Sequence, residues 1–121
     1  GAEAKYWVAY CYFQLGALDN AEEEIMSFAG MKTQHQYWLA KAFILLSDIN
    51  VQKGDLFQAK QYLLSLQNNY RNATDDIHSI IAQHLEEIDK MMNASEEKKE
   101  VENDSIYESQ EFEVEKEAMY E

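Results

Sequence analysis

The chain has 121 residues, of which 46% are hydrophobic, and its formal net charge is −13. This length fits a single domain with a modest core. An excess of negative charge repels phosphate backbones, which argues against a nucleic-acid partner. There is no proline and there are only four glycines. Because the turns of β architectures usually need both residue types, the composition predicts an all-α fold.

Five helices are predicted in chain order, over residues of about 2–15, 20–29, 35–53, 56–68 and 74–92. Gly16 and Gly54 can adopt the left-handed or close-contact conformation that ends the first and third helices. Asp19 and Asp55 are suitable N-caps for the second and fourth helices, because a carboxylate accepts hydrogen bonds from free backbone N–H groups. The segments between these helices are predicted to be short connections. No apolar run is long enough to span a membrane.

The fifth predicted helix has the clearest periodicity in the chain. Its inward positions recur at helical spacing along one stripe, and they are Ile77, Ile80, Ile81, His84, Leu85, Ile88, Met91 and Met92. Thr74 is its predicted N-cap, as Thr33 is for the third helix. A helix with a single apolar stripe suits the end of a helical stack, where its other face meets water. The sequence therefore predicts a C-terminal capping helix.

The chain also matches itself with a period of 38 residues. Gly16, Leu18 and Ala21 recur as Gly54, Leu56 and Ala59, while Val8, Ile25 and Phe28 recur as Leu46, Leu63 and Leu66. Each copy consists of two helical patterns around a glycine, and such units bury their apolar faces by stacking on one another. The repeat predicts stacked helical hairpins, an architecture typical of proteins that bind other proteins.

This repeat resembles the tetratricopeptide family, whose unit is a helical pair of about 34 residues. The small residues at the family's helix–helix contact are matched by Ala9 and Ala21 in the first copy, and by Ser47 and Ala59 in the second. The resemblance covers residues 2–92. It implies a right-handed stack of antiparallel hairpins that binds a protein or peptide without catalysis.

A narrower resemblance concerns individual phrases of the sequence. Two segments look like the C-terminal part of large tetratricopeptide proteins in the cell envelope of Gram-negative bacteria, namely YWLAKAFILLSDI and AKQYLLSLQNNY. This resemblance implies a bacterial periplasm or cell-envelope location.

The family resemblance also implies a partner-binding groove on the concave face of the stack. The positions that match the family's peptide contacts are Glu3, Tyr6, Tyr10, Phe13 and Gln14 in the first helix, and Lys41, Ile44, Asp48, Val51 and Gln52 in the third. Such a groove offers apolar anchors beside a few hydrogen-bonding groups. The alternative is that Tyr6, Trp7 and Tyr10 pack against a further repeat.

No catalytic, metal or cofactor site is predicted. His78 and His84 lie on different sides of the predicted fifth helix, which does not suit a shared metal. A satisfied or solvent-facing histidine is the simpler interpretation of each. Cys11 is the only cysteine and is predicted to be a small buried apolar residue.

Residues 94–121 carry eleven acids and three lysines, which predicts an acidic, flexible tail after a domain of residues 1–93. Two functions stay open. The chain is either the C-terminal module of a longer repeat protein that binds a partner segment on its concave face, or a structural end-cap whose acidic tail is the ligand of another protein. A further hypothesis is that Ile106–Val114 packs against the helical body of its own or of a neighbouring molecule, the second case giving weak self-association.

Overall fold

A computed structural model of the chain describes the backbone of residues 1–29 and 35–120, and the side chains of residues 1–29 and 35–104. The described residues form five α-helices and no strand, which confirms the all-α prediction. These helices are α1 (Ala2–Gln14), α2 (Leu18–Ala29), α3 (Gln36–Gln52), α4 (Leu56–Asn69) and α5 (Ile77–Tyr120). The predicted connection 30–34, which includes the proposed cap Thr33, lies outside the described residues.

The chain divides into two compact units, Gly1–Ile88 and Asp89–Glu121. The first unit contains α1 to α4, the first turns of α5 and every buried side chain among the described residues. In the second unit the backbone is helical to Tyr120, and all but one of the described side chains are exposed. The flexibility of the acidic tail stays a prediction. The side chains of Ile106–Val114, invoked above for self-association, lie outside the described residues.

Consecutive helices in the first unit pack as pairs. α1 packs against α2, α3 packs against α4, and α3 also contacts both α1 and α2. The turn within each pair is made by a glycine with positive φ, +78° at Gly16 and +85° at Gly54. In both turns the residue after the glycine donates its N–H to a carbonyl five residues earlier, from Ala17 to Tyr12 and from Asp55 to Asn50, each at 2.9 Å. The predicted role of both glycines is therefore confirmed.

The small residues of the repeat lie where the paired helices contact each other. Ala21 and Ala59 are fully buried, and Ala9 is 1% exposed. Ser47 is also fully buried, and its hydroxyl donates a hydrogen bond of 2.9 Å to the Ala59 carbonyl oxygen. Small side chains at these positions let the two helix backbones approach each other closely.

The predicted helix starts were correct for α4 and wrong for α2. The Asp55 carboxylate accepts a hydrogen bond of 3.0 Å from the Gln58 N–H, so Asp55 is the N-cap of α4. α2 begins at Leu18, which places Asp19 inside the first turn instead of at the cap. Its carboxylate instead accepts a 2.7 Å hydrogen bond from the Lys53 ammonium.

The start of α5 also differs from its prediction. Thr74 is not the cap, because its N–H and hydroxyl both donate to the Asn72 side-chain oxygen. The helix begins at Ile77, whose N–H donates to Asp75 at 3.0 Å. The predicted stripe is buried in the first unit at Ile77, Ile81 and Ile88.

The prediction for Cys11 was wrong, because this side chain is exposed. The sequence pattern identified an apolar position on α1, but the side of α1 that carries Cys11 is not covered by another described element. Apolar neighbours on the same side, Trp7 and Val8, are each 46% exposed.

Candidate partner-binding surface

The predicted groove residues occupy α1 and α3, which contact each other along the first unit. Tyr6 and Ile44 are buried, with 7% and 5% of their surface exposed. They belong to the core under this face, and a partner cannot contact them directly. The half-buried members are Tyr10, Phe13, Lys41, Asp48 and Val51, and the exposed members are Glu3, Gln14 and Gln52. The part that a partner can reach is thus formed by the half-buried and exposed members.

An aromatic cluster links the beginning of α1 with the beginning of α3. It consists of Tyr6, Trp7, Tyr10 and Trp38. The Tyr6 ring stacks on Tyr10 with centroids 6.2 Å apart, and it lies 5.5 Å from the Trp38 ring. Trp38 was not among the predicted groove residues. Its contact crosses from one hairpin to the next, and no local spacing in the sequence indicates it.

A cation lies over this cluster. The Lys41 ammonium nitrogen is 5.7 Å from the centroid of the Tyr6 ring, within the range of a cation–π interaction. Burial, together with the nearby Tyr10, Asp48 and Tyr37, raises the pKa of Tyr6 to about 12. The Tyr6 hydroxyl is therefore neutral at physiological pH and Lys41 is the local positive charge.

Asp48 on α3 forms an ion pair with His84 on α5. The His84 Nε2 atom lies 3.2 Å from the Asp48 carboxylate, and His84 Nδ1 lies 2.9 Å from the Ile80 carbonyl oxygen. The hydrogen bond with Asp48 raises the pKa of His84. Both ring nitrogens thus have partners, as expected of a satisfied histidine. The sequence placed His84 on the inward stripe of α5 but gave no indication of the contact with Asp48.

A cleft of about 670 Å³ lies between the start of α3 and the connection from α4 to α5. Its lining includes Tyr37, Trp38, Tyr70, Arg71 and Asp75. The Tyr70 hydroxyl donates to the Asp75 carboxylate, and burial together with this hydrogen bond raises the pKa of Tyr70 to about 12. Because Trp38 borders both features, the cleft continues the surface of the aromatic cluster.

The described residues contain no cluster of three or more His, Cys, Asp or Glu side chains placed to hold a metal ion. Within the same part of the chain, no helix combines the length and apolar character needed to cross a membrane.

Comparison with protein-family models, with curated proteins and with solved structures gave no match.

Proposed function

We propose that this chain is a non-catalytic helical-repeat module that binds a segment of a protein partner on the face formed by α1 and α3. In this proposal it is the C-terminal module of a longer repeat protein of the tetratricopeptide type. The observation that carries the proposal is the placement of Lys41 over the Tyr6 ring, next to the half-buried ring of Tyr10 and the half-buried carboxylate of Asp48.

This arrangement has the chemistry of a protein-binding surface. Tyrosine and tryptophan rings are enriched at interfaces, because each provides a large apolar area and a polar group at low entropic cost. Tyr10 and Trp38 provide such rings, and Lys41 provides a cation that is already half-buried. The surface fits a peptide segment with an aromatic or aliphatic anchor and an acidic residue close to it.

The runner-up function is a structural end-cap whose acidic tail is the ligand of another protein. Two observations favour it. Ile77 and Ile81 at the start of α5 are fully buried, as a capping helix requires, and residues 94–121 carry eleven acids. In this case the partner would recognise the tail, and the face of α1 and α3 would have no ligand.

A binding experiment separates the two functions. Peptides would be selected from a display library on the whole chain, and their Kd measured for the parent protein and for Tyr10→Ala and Lys41→Glu. Phe57→Ala is the matched control, because Phe57 is a 65% exposed aromatic residue of α4, a helix that is not part of the proposed face. We expect Tyr10→Ala and Lys41→Glu each to weaken binding by about tenfold or more, with the affinity of the control unchanged.

The same peptides would be tested on a chain that ends at Asn93. Unchanged affinity supports binding on the face of α1 and α3. Loss of binding on removal of residues 94–121, with both groove variants unaffected, would contradict this proposal and favour the end-cap.

A further inference from the structure

Besides the face that it forms with α3, α1 carries an apolar surface that no described element covers. We name it the outer face of α1, and it consists of Ala4, Trp7, Val8, Cys11 and Leu15. Trp7 and Val8 are each 46% exposed and Leu15 is 81% exposed. Together with Tyr12 these residues line an apolar groove of about 420 Å³. The opposite side of the helix is buried at Tyr6 and Ala9, so α1 is apolar on two sides.

The repeat identifies what this face corresponds to in α3. The residues 38 positions after Ala4, Trp7, Val8 and Cys11 are Ala42, Leu45, Leu46 and Ile49. All four of these α3 residues are buried, with at most 3% of their surface exposed. A helix that is apolar on both sides is normally an internal helix. α3 meets this expectation, whereas α1 has the same pattern with only one side covered.

The structure also shows what covers the equivalent face of α3. The four α3 residues belong to one core cluster with Ala9, Ala21, Ile25 and Phe28 of the preceding hairpin. Both helices of that hairpin, α1 and α2, contact α3. The α3 face is therefore buried by the hairpin that precedes it in the chain. The outer face of α1 is the equivalent face of the first repeat, and no described hairpin covers it.

We propose that the outer face of α1 binds a further helical hairpin that precedes Gly1 in the same polypeptide and covers α1 as the hairpin of α1 and α2 covers α3. Apolar and small side chains from that hairpin would occupy the groove around Val8 and Cys11. This inference rests on the part of the proposed function that makes the chain a module of a longer repeat protein. It does not require the face of α1 and α3 to bind a partner.

A second copy of the chain is a less suitable occupant. Head-to-tail stacking would need a free hairpin at the other end of the copy, but there Ile77 and Ile81 of α5 are already fully buried. The remaining possibility for a second copy is a symmetric contact between two outer faces. That contact would make the protein dimerise in a concentration-dependent way, which the experiment below detects.

The test adds a copy of residues 1–38 directly before Gly1, with the cysteine of the added copy replaced by serine. The 38-residue period sets the register of the addition. Cys11 is exposed, so a thiol reagent should modify it rapidly in the parent chain. In the extended chain we expect the modification rate to fall by about tenfold or more, because Cys11 becomes part of a covered interface.

Two variants of the extended chain serve as controls. Val8→Glu, in the original copy, places a charge in the new interface and should restore rapid modification of Cys11. Phe57→Glu places the same charge at an exposed apolar residue of α4 and should leave Cys11 protected. If the added copy does not fold, as judged by helical circular dichroism, residues 39–76, which keep the same 38-residue register, serve as the added hairpin instead.

Rapid modification of Cys11 with both added hairpins would overturn the proposal. Concentration-dependent protection of Cys11 in the parent chain, abolished by Val8→Glu, would also overturn it, because the occupant would then be a second copy. Binding of the display-selected peptides to the face formed by α1 and α3, measured in the same proteins, tests the proposed function separately. Their binding can be lost while Cys11 protection persists, or the reverse.

Discussion

The buried hydroxyl of Ser47 donates a hydrogen bond of 2.9 Å to the Ala59 carbonyl oxygen, joining α3 to α4. These residues are the second-copy counterparts of Ala9 and Ala21, which are also buried. In the first copy an alanine replaces the serine, so the helix pair forms there without this hydrogen bond. The two hairpins thus share their small residues and differ in one buried polar contact.

Ser47→Ala should lower the free energy of unfolding by about 1 kcal/mol, the usual net contribution of one hydrogen bond. The loss should be no larger, since the first copy shows that alanine fits between the paired helices. Urea unfolding of the variant beside the parent protein measures it. A loss above about 3 kcal/mol would show that the two helix pairs are not equivalent.

Ala59→Leu should destabilise the protein more strongly, by roughly 1–3 kcal/mol, because the larger side chain overpacks a fully buried contact. The position is 0% exposed. Ala82→Leu on α5, at an exposed position, is the matched control and should be nearly neutral. Thermal unfolding that is the same for Ala59→Leu and the parent would argue against the alignment of the two repeats.

Gly54→Ala should destabilise the turn between α3 and α4 through the backbone alone. Gly54 has φ of +85°, and an added Cβ would meet no atom within 4 Å. A left-handed alanine costs roughly 1–2 kcal/mol, and asparagine tolerates the conformation better, so Gly54→Asn should lose less. Chemical denaturation of the three proteins checks this order. Equal stability of all three would contradict the required left-handed turn.

Stability should depend on pH through His84 and Asp48. Because the pKa of His84 is raised in the folded protein, the protonated imidazolium favours folding. This contribution is complete below the unfolded value near 6.5 and is lost as the pH rises through the higher folded value. The pair is partly exposed, so the contribution should be about 1 kcal/mol or less.

Urea unfolding of the parent and of His84→Gln at about pH 5.5 and pH 8 tests this dependence. The parent should have its larger advantage over the variant at the lower pH. Asp48→Asn should reduce the pH dependence in the same way while the histidine is kept. An advantage that grows toward pH 8 would show that the ion pair does not form in solution.

The sequence predicted the features that depend on local chemistry. Gly16 and Gly54 end helices because few other residues adopt positive φ, and Asp55 caps α4 because its carboxylate reaches the Gln58 N–H. Asp19 and Thr74 were assigned as caps wrongly. Several polar residues near each of these helix starts could serve as the N-cap. Which of them does so depends on tertiary contacts, such as that between Lys53 and Asp19.

The features that the sequence missed depend on which elements contact each other. Periodicity identified Cys11 as an apolar position, but it does not say whether another helix covers that position. The contact of Trp38 with Tyr6 and the pairing of His84 with Asp48 join residues far apart in the chain. Such contacts follow from how the helices pack against one another, and no local spacing encodes them.

The most direct test of the proposed function is a nuclear magnetic resonance titration of the isotope-labelled chain with a selected peptide. We expect chemical-shift changes concentrated at Tyr10, Trp38, Lys41 and Asp48, with Phe57 unaffected. Shift changes confined to residues 94–121 would contradict it, because they would make the acidic tail the binding element.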